Sequence, residues 1–217
     1  MSALCLYDYS PSGNCYKVRL LLSHLGVEYE RVPVDIFDGG TLTPEFERLN
    51  PLRATPVLEL EDGRTLIESD AIMWFLASGT PFLPTDPADQ ADVLRWLLYE
   101  QTDVMPMIGG LRFRLLTKRF APDSDEAERR RRGAYETLGI VDRHLAEREF
   151  LAAGRYTIAD MAVYGYSHVA HEADLDTEPY PAFRAWLDRV AAQPGFVDDL
   201  VPYPPNASLQ VGRSTYG

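Results

Sequence analysis

Ser12 lies in the loop Ser10-Pro-Ser-Gly13, just before an apolar helical stripe made by Val18, Leu21, Leu22 and Leu25. A hydroxyl there, backed by the unpaired amides of a helix N-terminus, is suited to hold a sulfur anion. A thiol with a pKa of about 8.5 is little ionised near neutrality, and two units of depression correspond to about 2.7 kcal/mol of thiolate stabilisation. In that chemistry Ser12 is a donor, not a nucleophile. Asn14 is a second polar group on the same turn. Cys15 stands on the first turn of the helix, where a thiol can be activated, although a cysteine so placed is more commonly packed into a core. Cys5 and Cys15 are not a Cys-x-x-Cys pair, so a dithiol mechanism has no basis.

The elements around this loop follow from periodicity. Ala3–Tyr9 reads as a strand, Cys15–Leu25 as a helix with Gly26 at a left-handed cap, and Val27–Val34 as a strand whose Pro33 confines it to a sheet edge. Pro44–Leu49 is a short helix, Pro56–Glu61 and Arg64–Ile67 are strands joined by an Asp62-Gly63 turn, and Ser69 caps a helix over Ala71–Leu76. The order is β-α-β-α-β-β-α, an α/β fold. Three prolines in residues 79–88 mark a linker, so the domains are expected at 1–78 and 89–217. The second reads as an all-α bundle with helices near 89–118, 125–148, 157–172 and 181–192, and Pro106 with Gly109-Gly110 bends the first of them. Thr157-Ile-Ala-Asp160 has the form of a capping box, and the tail from Pro202 to Gly217 is expected to be irregular.

Composition narrows the function classes. The chain has 217 residues, 46% hydrophobic and 25% charged, which fits a folded globular protein and excludes fibrous and disordered classes. A formal net charge of −12 opposes nucleic-acid binding. The four arginines at 129–132 follow Asp125, Glu126 and Glu128 on one helix and form an ion-paired, solvated face. No apolar run reaches the ~20 residues of a membrane span, and Met1–Ser10 lacks a signal peptide's pattern, so a cytoplasmic protein with free thiols is expected. His168 and His171 have no convincing third ligand, and no metal is expected.

Four short segments carry a resemblance. They are Ser10-Pro-Ser-Gly-Asn-Cys-Tyr-Lys-Val-Arg19, Asn50-Pro-Leu-Arg-Ala-Thr-Pro-Val-Leu58, Glu68-Ser-Asp-Ala-Ile72 and Thr157-Ile-Ala-Asp160. In this order they resemble the cytosolic glutathione transferases across nearly the whole chain, most closely the bacterial serine type with theta/delta and disulfide-reducing Nu-like features. The resemblance implies a thioredoxin-like N-terminal domain followed by an all-helical one, glutathione as co-substrate, a homodimer, and conjugation that serves detoxification. It also implies the site. Ser12, six residues before Val18, would activate the thiol, with Asn14 beside it. Thr55-Pro56 would be a cis bond presenting Val57 to the cysteinyl part of glutathione, and Glu68 and Ser69 would hold the γ-glutamyl end. Where relatives carry a basic residue or Gln two positions before the proline, this chain has Ala54, so Arg53 would take the glycyl carboxylate.

An electrophile pocket is implied between Pro11 and the first long helix of the second domain, with Met105 and Arg112 as lining and Glu100 or Asp103 toward a partner subunit. The second substrate would be a small hydrophobic or electrophilic molecule or a disulfide. Two other readings stand beside this one. The fold can serve as a non-catalytic glutathione- or partner-binding module. A maleylacetoacetate-type isomerase is the second, although those resemble a Ser-Ser-Cys loop and the aligned residues here are Ser12-Gly13-Asn14.

Overall fold

The computed structural model describes residues 4–208. These divide into two compact units, one running to Leu76 and taking in the residues from Val197, the other Ala77–Phe196. The division therefore differs from a helical domain running on to the C-terminus. Its physical reason is local: Tyr16 Oη donates to the Val197 carbonyl at 2.7 Å and Arg19 Nε pairs with Asp199 Oδ2 at 2.8 Å, both from the first helix. Of the tail, residues 202–208 are irregular apart from a 3-10 turn at Pro205–Ala207, and 209–217 lie outside the described residues.

The first unit has the expected element order: β1 (Cys5–Asp8), α1 (Gly13–Leu25), β2 (Glu30–Pro33), α2 (Pro44–Leu49), β3 (Val57–Glu59), β4 (Thr65–Ile67) and α3 (Ser69–Ala77). The sheet runs β2-β1-β3-β4, with β1 and β2 parallel and the other pairs antiparallel. The second strand is shorter than expected, and Pro33 ends it at the sheet edge, where a missing amide costs no ladder bond. Gly26 adopts φ 62 as the left-handed cap of α1, its amide donating to Ser23 and that of Val27 to Leu22.

Helix α1 is buried on nearly every side, from Cys15 to Leu22, and this includes Lys17 and Arg19. A helix with no wet face must pair its charges internally, and both do so. Ser69 is the first helical residue of α3 rather than its cap. Glu68 occupies the position before it in a left-handed conformation, φ 68, with its carbonyl accepting from Ile72.

The second unit comprises α4 (Pro87–Tyr99), a π-helical segment (Glu100–Gly109), α5 (Gly110–Leu116), α6 (Asp125–Leu145), α7 (Ile158–Ser167), a 3-10 turn (Ala170–Ala173) and α8 (Pro181–Ala191). The single helix expected over 89–118 is thus three segments. Pro106 has no amide hydrogen and its ring crowds the carbonyl four residues back, which a wider turn relieves. Gly110 N accordingly bonds Met105 O, and Arg130 Nη1 satisfies the Pro106 carbonyl at 2.6 Å. A Cβ on Gly109 would lie 2.6 Å from Tyr166 Cε1, so the close approach of α7 requires glycine.

The capping box of α7 forms as expected. Asp160 Oδ2 accepts from Thr157 N at 3.0 Å, and Asp160 Oδ1 accepts from Leu151 N and from Trp186 Nε1, each at 2.9 Å. Burial pushes the Asp160 carboxyl up to about 6, against the pull of these donors. The arginine run is ion-paired within α6, Arg129 and Arg130 with Glu126 and Arg131 with Glu128. Among the described residues no helix is long and apolar enough to cross a membrane.

Candidate functional site

Ser12 is the N-cap of α1. Its backbone is extended, φ −80 and ψ 123, and Ser12 Oγ accepts from Cys15 N at 3.3 Å. That bond uses an oxygen lone pair, so the hydroxyl keeps its one proton as a donor. Buried Pro11 and half-buried Ser12 place this group where β1 hands over to α1.

Asn14 sits on the first turn of α1, and its Oδ1 accepts from Ser69 Oγ at 3.3 Å. With Oδ1 so engaged, Asn14 has two Nδ2 hydrogens to offer. The bond joins the first turns of α1 and α3, so the positive ends of two helix dipoles lie near each other. A second link lies beside it. Lys17 Nζ pairs with Asp70 Oδ1 at 2.9 Å, with the lysine side chain fully buried.

Cys15 is a core residue. Its thiol is fully buried, accepts from Tyr9 N at 3.4 Å, and is pushed up to about 11 by burial and then by the charge of Asp8, against the Tyr9 amide and the Thr55 and Ser12 hydroxyls. Burial therefore disfavours the Cys15 thiolate near neutrality. The protonated thiol is also a weak acceptor, so it competes poorly for the Ser12 proton.

The loop between α2 and β3 is organised by Asn50, 2% exposed, whose Nδ2 donates to Ala54 O at 2.8 Å and whose Oδ1 accepts from Leu52 N at 2.9 Å. This loop leads into a cis Thr55-Pro56 bond. Val57 follows in an inner strand, with Tyr7 and Ile67 as its register partners, and its side chain is buried among Val34, Phe46 and Leu49. Val57 therefore offers a ligand no side chain, and as an inner-strand residue it has no free sheet edge beside it. Arg53 is in a left-handed conformation, φ 55, and pairs with Glu47 on α2 at 2.9 Å. Five described residues other than glycine have positive φ, and Arg53 and Glu68 are two of them. Such backbone states commonly accompany ligand contacts.

Ser12, Asn14 and Ser69 are thus brought together, while Arg53, Thr55, Pro56 and Val57 line the approach to β3. Pro11 belongs to this unit, whereas Met105 and Arg112 belong to the other. Arg112 is 1% exposed and its Nε donates to Glu172 Oε2 at 2.5 Å, an ion pair between α5 and the 3-10 turn at Ala170–Ala173. That engagement leaves it poorly placed for an anionic substrate. Of the two acids expected toward a partner subunit, Glu100 is fully buried and accepts from Gln101 Nε2 at 2.9 Å, whereas Asp103 is half-buried.

Sequence reasoning passed over Lys17, Asp70, Asn50 and the pair Asp8 and Arg31. The signal for Lys17 was a lysine in a helix with apolar neighbours on all sides, which demands a partner.

Comparisons with known proteins agree on one family. The family profile described as "Glutathione S-transferase, N-terminal domain" matches residues 11–78, and "Glutathione S-transferase, C-terminal domain" matches 104–194. "Glutathione S-transferase 3" of Zea mays is 31% identical over 96% of this chain and 99% of its own. "Disulfide-bond oxidoreductase YfcG" of Escherichia coli is 27% identical over 86% and 89%, and a "Maleylacetoacetate isomerase" of Rhizobium meliloti 32% over 86% and 90%. A crystal structure of a glutathione S-transferase from Pseudomonas fluorescens superposes with a TM-score of 0.89 at 40% identity, covering 92% of this chain and 100% of that one. A glutathione transferase from Burkholderia graminis, solved with two glutathione molecules bound per subunit, has a TM-score of 0.78 at 27% identity, covering 89% and 85%.

Proposed function

Because the chain belongs to the glutathione S-transferase family, we propose that it binds glutathione, stabilises the thiolate with Ser12 and directs it at an electrophilic small molecule or a disulfide. The observation that supports this reading best is the Asn14–Ser69 bond, which joins the first turn of α1, capped by Ser12, to the start of α3. The amides of α3 with Ser69 suit the γ-glutamyl carboxylate, and exposed Glu68 suits its ammonium. In this reading the backbone where the cis Thr55-Pro56 bond leads into Val57 at the start of β3 takes the cysteinyl part. Arg53, with part of its charge shared with Glu47, suits the glycyl carboxylate. Arg112 could take an anionic substrate group only if its pair with Glu172 opened. No metal takes part.

The glutathione-bound structure from Burkholderia graminis and the transferase names of the relatives support glutathione as co-substrate. The Escherichia coli oxidoreductase supports a disulfide as the second partner. A cytoplasmic homodimer completes the reading. Leu94 and Leu98, 45% and 58% exposed and one turn apart on α4, supply an apolar face for dimerisation.

The deciding experiment is calorimetric titration with glutathione, alongside ultraviolet absorbance of the thiolate near neutral pH, on wild type and Ser12→Ala. Binding with a thiolate that the variant loses is the expected result. Binding without ionisation in the wild type would remove the role of Ser12, and no binding at millimolar glutathione would favour a non-catalytic module. The Rhizobium meliloti relative motivates a second reading, a maleylacetoacetate isomerase. Rapid turnover of maleylacetoacetate, set against slow conjugation and disulfide reduction, would put that reading first.

A further inference from the structure

Behind the Ser12 loop lies a set of charges that none of the proposed contacts uses. Asp8, the last residue of β1, is 1% exposed and its carboxylate is divided between two arginines. Oδ1 accepts from Arg19 Nη1 at 2.5 Å, and Oδ2 accepts from Arg31 Nε at 2.7 Å. Both arginines reach onward to Ser10: Arg31 Nη2 donates to Ser10 Oγ at 2.9 Å, and Arg19 Nη2 donates to the Ser10 carbonyl at 3.3 Å. Asp199 completes the set, pairing with Arg19 Nε at 2.8 Å and with Arg31 Nη1 at 3.5 Å.

Ser10 is therefore held at its side chain and its backbone, two residues before Ser12. The next links are short. Ser12 N donates to the Tyr9 carbonyl at 2.9 Å, Tyr9 N donates to Cys15 Sγ, and Cys15 N donates back to Ser12 Oγ. Burying Asp8 needs one cation, and Arg19 supplies it. Arg31 adds a planar fork that bonds Asp8 and the Ser10 hydroxyl at once, which an ammonium could not reproduce. Reactive donors need placement to within about 0.5 Å, and such placement comes from groups locked by their own hydrogen bonds.

We infer that Arg31 is a positioning residue, which through Asp8 and Ser10 fixes the Ser12 hydroxyl and the amide of Cys15 that it caps. Its consequence for thiol chemistry rests on the proposed function, whereas the positioning rests on geometry alone. The test therefore has two readouts, applied to wild type, Arg31→Met, Ser10→Ala and Arg31→Lys.

The first is amide hydrogen exchange at Ser12 and Cys15, which needs no ligand. Exchange about tenfold faster at both amides is expected in Arg31→Met and Ser10→Ala, with β3 and α3 unchanged. Arg31→Lys keeps a charge for Asp8 but loses the fork, so its melting temperature stays near wild type while exchange remains fast. The second readout is the thiolate absorbance of bound glutathione. Its midpoint should rise by about one pH unit in Arg31→Met and Ser10→Ala, while KM for glutathione stays within about twofold.

Unchanged exchange at Ser12 and Cys15 in both variants overturns the inference. So does faster exchange spread evenly through the first unit, which would mean plain destabilisation. An effect in Arg31→Met without one in Ser10→Ala overturns the route through Ser10. Faster local exchange in a protein that shows no glutathione thiolate even as wild type retires the proposed function and supports the positioning.

Discussion

Lys17 Nζ donates to Asp70 Oδ1 at 2.9 Å with no solvent exposure of the lysine, tying α1 to the first turn of α3. The other carboxylate oxygen, Asp70 Oδ2, is buried without a hydrogen-bond partner among the described residues, so the lysine, with the N-terminal dipole of α3, compensates this charge. Removing one member of a buried pair strands the other, at a typical cost of about 3–5 kcal/mol. Lys17→Met should lose about that much stability by urea denaturation. The double variant Lys17→Met/Asp70→Leu, with neither charge buried, should recover most of the loss. A double variant as unstable as the single one would show that the helices need this pair for something other than charge balance.

The two roles of Ser12 separate by substitution. Ser12→Ala removes both the cap and the hydroxyl donor, and a lost cap costs about 1 kcal/mol. Glycine is nearly as good a cap, so Ser12→Gly should lose only a few tenths of a kcal/mol while losing the same donor. Both variants should then show glutathione-dependent turnover near pH 7 reduced by a similar factor, about tenfold or more for each unit that the thiolate midpoint rises. Turnover in Ser12→Gly close to wild type would assign the effect of alanine to fold loss rather than to chemistry.

What could be read in the chain beforehand was local. Gly26 as a left-handed cap, Pro33 at an edge, and the Thr157–Asp160 box each depend on residues within one turn, and each stands where the spacing put it. The Ser12 loop was legible only as a polar turn before an apolar helical stripe, because the bond by which Ser12 caps α1 at Cys15 N depends on the exact residue at which the helix starts. The Lys17–Asp70 pair joins residues 53 apart, and the Asp199–Arg19 pair joins residues 180 apart. No local pattern encodes such partners. The π-helical stretch failed differently: Pro106 and the glycines at 109 and 110 announced a distortion, yet whether a helix bends or widens depends on Arg130 reaching the Pro106 carbonyl from α6. Ser69 slipped by one position because Glu68 absorbs the left-handed turn, which sequence propensity assigns to glycine.

The Thr157–Asp160 box predicts a large stability effect far from the chemistry. Asp160→Ala would leave Thr157 N, Leu151 N and the Trp186 indole without their acceptor in a fully buried place. Each stranded donor costs about 1–3 kcal/mol, so a loss of about 3 kcal/mol or more is expected in chemical denaturation. Asp160→Asn keeps one acceptor oxygen and should lose less. Equal losses in the two variants would mean that the charge, not the acceptor geometry, stabilises the start of α7.

Cys15 provides a test in the alkaline range. Its folded pKa of about 11 stands above its ordinary value of 9.0, because burial disfavours the thiolate. A group raised in this way contributes stability that is complete below pH 9 and is lost as pH climbs toward 11. Denaturation midpoints of wild type should therefore fall across pH 9–11 more steeply than those of Cys15→Ala. Tyr7 and Tyr99, each pushed up to about 12 by burial, add a slope common to both proteins, so the difference between them isolates the thiol. The same burial predicts that iodoacetamide at pH 8 leaves Cys15 unmodified in the folded protein and alkylates it in urea. Labelling in the native state as fast as in the unfolded chain would return Cys15 to the list of reactive groups and take the thiolate chemistry away from Ser12.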